Sequence, residues 1–281
     1  MTEEKKQEDG GEEEDHEQRE AEERSAPTGS VVYKAIRSEG ESELERATSA
    51  LAWSGLAAGM SMGFSFVGEA LLHAHLPDAK WRPLIAAFGY SLGFLMVVLG
   101  RQQLFTENTL TVILPLLAKF DRKTIVNVAR LWATVLLANL AGAFLFALVL
   151  AKTEVVDAEV FHSMTTLGAE SLNRTFAVVV LRGIFAGWLI ALMVWLLPFA
   201  ETARVGVIII ITWLVGALHL SHVIAGAVAS MFTALTGDAT AAEVAIGFFL
   251  PALLGNILGG VSLVAAIAHA QVVAGEEGAD A

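Results

Sequence analysis

The stretch "RQQLFTENTL" (residues 101–110) interrupts one of the longest apolar runs of the chain, which extends over about residues 83–118. It carries an arginine, two glutamines, a threonine, a glutamate and an asparagine within eight residues. Polar groups in the middle of an apolar helix are costly unless the protein supplies partners for them. The interruption therefore predicts that the helix is broken here and that the break faces protein or water.

The composition indicates a membrane protein. Of 281 residues, 55% are hydrophobic, and the mean hydropathy is positive, which is too apolar for a soluble domain of this size. The chain contains no cysteine, so disulfides, thiolate metal sites and thiol nucleophiles are excluded. The lipid bilayer is therefore the first partner that the sequence predicts.

The N-terminal 30 residues have a different character. They hold twelve acidic against four basic residues, a net charge of −8 out of −12 for the whole chain, and almost no apolar side chain, so we predict a disordered, acidic cytoplasmic tail. This acidity argues against a nucleic-acid partner. The predicted organisation continues with a linker or juxtamembrane segment (31–46), a six-helix transport domain (47–273) and a short cytoplasmic tail (274–281).

Six apolar segments are long enough to cross roughly 30 Å of hydrocarbon as helices. They lie at about 47–73, 83–118, 125–151, 176–198, 204–235 and 244–273. The second and fifth are too long for one plain crossing, and each contains a polar interruption, "RQQLFTEN" in the second and "LHLSH" (218–222) in the fifth. Irregular backbone at membrane depth is tolerated only where protein or a water-filled cavity satisfies it. Both spans are therefore predicted to be broken helices that face a pathway.

Two pairs of short motifs suggest an internal repeat. "SGLAAG" (54–59) resembles "RGIFAG" (182–187), and "ANLAGA" (138–143) resembles "GNILGG" (255–260). The predicted fold is thus an all-α membrane protein of two three-helix halves, inverted relative to each other because each half has an odd number of spans. Thr106 precedes Asn139 by 33 residues and His222 precedes Asn256 by 34, so the repeat places His222 opposite Thr106.

Two half-helices are predicted to begin at the breaks, one at about Asn108 and one at Ser221 or His222. Their first N–H groups lack partners within the helix, and their dipoles direct positive ends toward the midplane. Two such ends facing one pathway form an anion site without a fixed charge.

Basic residues near the span ends set the expected orientation, with both termini cytoplasmic. Eight lie on the side of the N-terminus and four on the other. The eight are Lys34, Arg37, Arg46, Lys119, Arg122, Lys123, Arg130 and Arg204, and the four are Lys80, Arg82, Lys152 and Arg174.

Five motifs, in order, carry a family resemblance that covers about residues 45–272. They are "LFTENT" (104–109), "WATVLLANLAGA" (132–143), "RGIFAGWLIALMVWL" (182–196), "LSHVIAG" (220–226) and "LPALLGNILGGV" (250–261). Together they resemble the formate/nitrite transporter family. The resemblance implies an aquaporin-like protomer, a homopentamer in the bacterial inner membrane, and passage of small monovalent anions or their weak acids. It also implies that Leu104, Phe105 and Thr106 face His222 across the pathway.

We expect apolar side chains to narrow the pathway, which makes passage of a dehydrated anion costly. The half-helix ends and His222 would offset part of this cost. A proton delivered near His222 would let the substrate cross as a neutral acid, and both channel-like flow and proton-coupled transport fit the sequence. The predicted lining residues are His222, Thr106, Leu104, Phe105, Val215, Asn108, Ser221, Asn139 and Asn256.

Some of these residues have alternative interpretations. Thr106 could cap the half-helix that follows it, and His222 with His219 could be structural or form one edge of a metal site, although no third ligand is evident except Glu107. Because an ionised Glu107 would repel an anion, we expect it to pair with Arg101 or Arg182. No cofactor or metal is predicted.

The chain also departs from the family pattern at four positions. Ser221 stands where many members have a glutamate, Gly226 and Gly187 where an asparagine is usual, and Ser171 where a vestibule lysine is expected, with Arg174 as the nearest cation. These differences keep two other classes open. One is a non-transporting membrane scaffold, and the other is a membrane-embedded enzyme that uses its histidines and Glu107.

Overall fold

The computed structural model describes residues 27–279, and every regular element within them is helical. The predicted tail therefore lies almost entirely outside the described residues. The helices are α1 Gly29–Glu45, α2 Thr48–His75, α3 Arg82–Leu99, α4 Asn108–Thr111, α5 Ile113–Ala118, α6 Arg122–Lys152, α7 Ala158–Leu172, α8 Phe176–Leu196, α9 Arg204–Ala217, α10 Val223–Thr236, α11 Leu250–Ile257 and α12 Ala266–Ala279. Wider π-type turns, Glu243–Phe249 and Leu258–Ala265, precede α11 and α12 in one long helical run.

Helix bounds agree with the predicted spans to within three residues. Five helical segments within the described residues are long and apolar enough to cross a membrane: Thr48–His75, Arg82–Leu99, Arg122–Lys152, Phe176–Phe199 and Glu243–Val272. The predicted fifth span consists instead of α9 and α10, two helices of 14 residues each. The second span likewise ends at Leu99 and resumes at Asn108. The breaks therefore lie where the polar interruptions predict them.

The segment predicted as a linker is helical. Helix α1 buries Val32, Ile36, Gly40 and Leu44, four residues spaced by four and hence on one face. This face packs on the short half-helices, and Gly40 approaches the carbonyl of Thr111 so closely that a Cβ atom would overlap it. The N-terminal helix is thus part of the packed domain.

A helix that the sequence analysis did not predict, α7, lies between the third and fourth spans. It buries Val160, Met164 and Gly168, again at spacings of four, and packs against α2 and α10. With 15 residues it is too short to cross a bilayer. It covers one end of the helix pair that it contacts.

Helix α6 begins at a side-chain cap. The carboxylate of Asp121 accepts hydrogen bonds from the N–H and the hydroxyl of Thr124, at 2.8 and 2.9 Å. These bonds favour the ionised form and hold the pKa of Asp121 below its usual value. The cap fixes where the third span starts.

Small residues bring the helices of each half into backbone contact. Between α2 and α6, a Cβ atom on Gly59 would overlap the carbonyl of Asn139. Between α8 and α11, a Cβ atom on Gly187 would overlap the carbonyl of Asn256. These are the glycines of the repeated motifs, so the motif pairs mark equivalent close contacts of the two halves, as small residues often do between membrane helices.

Replacing Gly59 by alanine should destabilise the protein by about 2 kcal/mol, because the added methyl group meets backbone that cannot rotate away. Gly206→Ala is the matched control, since no atom lies within 4 Å of its Cβ position and alanine favours the helix by up to about 1 kcal/mol. Thermal unfolding in detergent measures both. Equal melting temperatures for the two variants would contradict the contact.

Candidate functional site

Helices α3 and α9 end in the same way, each followed by a residue in the left-handed region. Arg101 has φ 50° and His219 has φ 49°. The N–H of Gln102 donates to Val97 O, and the N–H of Leu220 donates to Val215 O, both at 2.9 Å. This is a Schellman ending, a role usually filled by glycine. Since L-residues rarely adopt this conformation, the surrounding structure must hold both ends in place.

Two asparagines hold the broken segments. Asn139 Oδ1 accepts from the N–H of Phe105 at 2.9 Å, and its Nδ2 donates to Gly55 O and Gln103 O at 2.7 and 2.8 Å. The side chain is completely buried. All of its polar capacity except one acceptor lone pair is used by backbone, so it supports the break, and its role as a lining residue stays a prediction.

The second half repeats this arrangement. Asn256 Oδ1 accepts from the N–H of Val223 at 2.9 Å, and its Nδ2 donates to Gly183 O and Ser221 O at 2.9 and 2.8 Å. Asn256 was also predicted to line the pathway and has the same supporting role. We refer to the two arrangements as the asparagine clamps.

The clamps correct the alignment of the two halves. They match Phe105 with Val223. The residue equivalent to His222 is therefore Leu104 and not Thr106. The predicted register was therefore wrong by two residues. The reason is that Asn256 bonds Val223, the residue after His222, whereas Asn139 bonds Phe105, the residue before Thr106.

Thr106 and His222 nevertheless meet. Thr106 Oγ1 lies 2.8 Å from His222 Nε2, and both side chains are at most 1% exposed. His222 is also the N-cap of α10, where its Nδ1 accepts from the N–H of Ala225 at 3.1 Å. An Nδ1 that accepts carries no proton, so the neutral ring has its proton on Nε2 and donates it to Thr106. The ring of Phe94 meets the imidazole edge-on, with centroids 5.0 Å apart.

Thr106 does not cap the half-helix that follows, contrary to one of the two interpretations. The N-cap position of α4 is Glu107, without a side-chain cap, and the Thr106 hydroxyl is directed to His222. Asn108, predicted to line the pathway, instead bonds Gln103 Oε1 and Leu104 O through its Nδ2, at 3.0 and 3.2 Å. It stabilises the first break internally.

Two cavities reach the chain neighbours of the buried pair, one at Ser221 and the other at Glu107. The His219 vestibule, about 100 Å³, includes Arg182, His219 and Ser221, and the Glu107 vestibule, about 230 Å³, includes Glu107 and Val194. Arg182 and Val194 lie twelve residues apart on α8, which corresponds to about 18 Å along the helix. The vestibules therefore face opposite ends of the helix bundle.

Four apolar side chains near the Thr106 and His222 pair belong to one buried core cluster. Phe94, Leu104, Phe105 and Val215 are at most 1% exposed, and Val215 also borders the His219 vestibule. Leu104, Phe105 and Val215 were predicted as lining residues, and this role stays a prediction, whereas the ring of Phe94 contacts His222. Phe94 was missed, because one aromatic residue within an apolar span gives no distinguishing signal.

The predicted partners of Glu107 are engaged elsewhere. Arg101 forms an ion pair with Glu39 at 3.0 Å, and Arg182 donates to the carbonyl of His219 at 3.2 Å. Arg182 also belongs to the opposite vestibule. Within residues 27–279, Glu107 Oε1 is buried without a hydrogen-bond partner. The predicted pairing is therefore wrong, because neither guanidinium points to this carboxyl group.

The departures at Gly187 and Gly226 have a packing explanation. Gly187 faces the backbone of Asn256, and Gly226 faces the ring of Phe248 so closely that a Cβ atom would overlap it. An asparagine would not fit at either position in this packing. Gly187 thus belongs to a helix contact, whereas Gly226 also borders the His219 vestibule.

Ser171, the position without the expected lysine, donates to Gly168 O at 2.6 Å and borders the His219 vestibule. Arg174 and Arg182 supply positive charge there, and Glu69 and Glu170 supply negative charge. Glu69 was missed, although a carboxyl group within an apolar span is a recognised functional signal. Among the described residues no three His, Cys, Asp or Glu side chains cluster as metal ligands.

Two broken helices that meet at a buried polar pair between opposed vestibules define a membrane transport protein. A family model for the formate/nitrite transporter matches residues 30–270, and the chain belongs to this family. The inner membrane protein YfdC of Escherichia coli is 35% identical over 251 residues, 89% of this chain and 81% of its own. Since the family consists of channels and transporters, the enzyme interpretation is set aside.

Solved structures agree in fold. A pentameric formate channel with formate bound superposes with a TM-score of 0.67 at 22% identity, covering 79% of this chain and 97% of the channel. An FNT family ion channel superposes with a TM-score of 0.74 at 19% identity, covering 84% and 96%. The chain is therefore an integral membrane protein with the channel fold.

Replacing Asn139 by alanine should lower the free energy of unfolding by about 3 kcal/mol, because three buried backbone groups lose their partner. The exposed Asn173 at the end of α7 provides the matched control, Asn173→Ala, with little expected change. Thermal unfolding and oligomer size in detergent are the measurements. A variant as stable as the parent would reject the clamp.

Proposed function

We propose that this protein conducts small monovalent anions or their weak acids, with formate and nitrite as the first candidates, through one pathway in each protomer of a homopentamer. The observation that carries the proposal is the buried contact between Thr106 and His222, which presents hydrogen-bond donors between two vestibules. The fold likeness to a pentameric formate channel supports both the substrate and the assembly.

The apolar side chains around this pair would select for size and dehydration. A hydrated ion would have to shed water beside Phe94, Leu104 and Val215, which are all fully buried, and shedding water is costly unless new hydrogen bonds replace it. The Nε2–H of His222 and the hydroxyl of Thr106 can supply such bonds to an oxygen of the substrate. An anion would therefore cross by replacing the bond between these two side chains.

We further propose that a proton can accompany the anion through His222. A proton that reaches Nδ1 breaks the bond from the Ala225 N–H, and the imidazolium then gives its Nε2 proton to a substrate oxygen. The substrate leaves as a neutral acid, and the ring is left neutral with its proton on Nδ1. Loss of this proton and uptake of one at Nε2 restore the resting tautomer and the cap bond. The exchange of the cap bond for a proton makes α10 part of the step.

His222→Asn tests this role, because asparagine can still accept from the Ala225 N–H but cannot gain a proton near neutral pH. We expect a pentamer of normal size and formate uptake into proteoliposomes that is about tenfold or more slower at acidic pH, with a flattened pH profile. His75→Asn, at an exposed histidine, should behave like the parent protein. Uptake by His222→Asn that matches the parent at every pH would rule out the proton relay.

We also propose that the protein resides in the cytoplasmic membrane with both termini inside, as the basic residues suggest. Single cysteines can map this orientation, because the chain contains none. An impermeant thiol reagent added to intact cells should label Glu154→Cys, in the loop after α6, and should leave Ser30→Cys and Ala279→Cys unlabelled. Labelling of the terminal positions with Glu154 protected would reverse the orientation.

A further inference from the structure

Within residues 27–279, the half-buried side chain of Glu107 has no counter-ion. It follows Thr106 directly in the chain and borders the Glu107 vestibule. Its Oε1 atom is shielded from solvent, and no donor within residues 27–279 bonds it. Its backbone carbonyl, by contrast, accepts from the N–H groups of Leu110 and Thr111. The backbone is thus fixed while the carboxyl group is left unpaired.

Both cations of this vestibule are committed to other groups. Arg101 pairs with Glu39 at 3.0 Å, and Arg204 donates to Leu197 O at 3.2 Å. The remaining carboxylate, Glu43, pairs with Arg46 at 2.9 Å. Of the three carboxylates that line the vestibule, Glu107 is therefore the one without an ion pair in the described part of the chain.

An unbalanced carboxylate at this place has a direct consequence for an anion. A substrate that enters from the Glu107 vestibule would pass this group before it reaches Thr106 and His222. Like charges repel strongly where water is scarce, because little dielectric screening remains. A protonated Glu107 has no net charge and adds an O–H donor instead.

We propose that Glu107 is a charge filter of the pathway, which rests on the proposed anion transport. Ionised Glu107 excludes small anions from the Thr106 and His222 pair, and protonation of Glu107 admits them. The residue therefore determines how the rate of anion passage depends on the pH of the compartment that the Glu107 vestibule faces. This role is separate from that of His222, which bonds the substrate.

Glu107→Gln removes the charge and keeps the size and a polar end. Formate and nitrite uptake into proteoliposomes would be measured from pH 5.5 to 8, with oligomer size checked for every sample. Glu107→Gln should raise uptake at the alkaline end about tenfold, which corresponds to the loss of about 1.4 kcal/mol of repulsion. Its rate at the acidic end should equal that of the parent, so that its profile becomes flatter.

Glu43→Gln is the matched control, because it removes the same charge from the same vestibule at a residue that is already paired. Its pH profile should follow the parent. If Glu107→Gln does not assemble, Glu107→Leu replaces it, since leucine needs no hydrogen-bond partner, and the same rise is expected.

An unchanged profile for the assembled Glu107 variant, or a rate lower than the parent at every pH, would overturn the filter. An equal rise in Glu43→Gln would overturn it as well, because the effect would then belong to the vestibule as a whole. A parent protein that takes up neither anion at any pH would instead count against the proposed function. Uptake that appears only after Glu107 is neutralised would support the filter.

Discussion

The need to hydrogen-bond broken backbone in an apolar surrounding governs this structure. Where α3 and α9 stop, N–H and C=O groups lose the partners that a continuous helix would supply, and no water is available at that depth to replace them. One asparagine side chain in each half provides part of the substitute, because it bonds one N–H and one C=O of the break and one C=O of the adjacent helix. The amides therefore tie each break to the helix beside it.

That reach explains the glycine pattern. An asparagine is short, so the helix that carries it must lie close to the helix whose carbonyl it bonds. Gly55 and Gly59 bring α2 to Asn139, and Gly183 and Gly187 bring α8 to Asn256. The clamps in turn fix Phe105 and Val223, the residues adjoining Thr106 and His222. Helix packing and the position of the buried pair are therefore parts of one arrangement.

Much of the architecture could be predicted from the sequence, because it follows from length, polarity and glycine spacing. The spans, both breaks and the start of the half-helix at Asn108 agree with the structure. Side-chain direction was not accessible in the same way. Asn139 and Asn256 look like pathway residues by composition, and Glu107 looks like a partner for Arg101, but their orientation depends on the tertiary packing.

Local signals also had limits. Helices α1 and α7 each bury residues spaced by four. Neither helix is long and apolar enough to be predicted by the criteria that identify the membrane spans. The predicted alignment of the two halves paired Thr106 with His222 because they lie at similar distances along the chain from Asn139 and Asn256. The structure instead pairs Phe105 with Val223, the residues whose N–H groups these asparagines accept. The family resemblance, which rests on motif order, does not depend on that register and is confirmed.

The capping role of His222 has a consequence for the bonds that its ring can form. Because Nδ1 is occupied by the Ala225 N–H, the neutral imidazole can only donate to its neighbour, and Thr106 is left with a hydroxyl hydrogen for which the described residues show no other acceptor. The threonine oxygen keeps a lone pair of its own, so the pair as a whole can both donate and accept. The tautomer of a side chain buried among the spans is thus set by one backbone N–H of α10, and a change in the first turn of that helix would reverse which ring nitrogen donates.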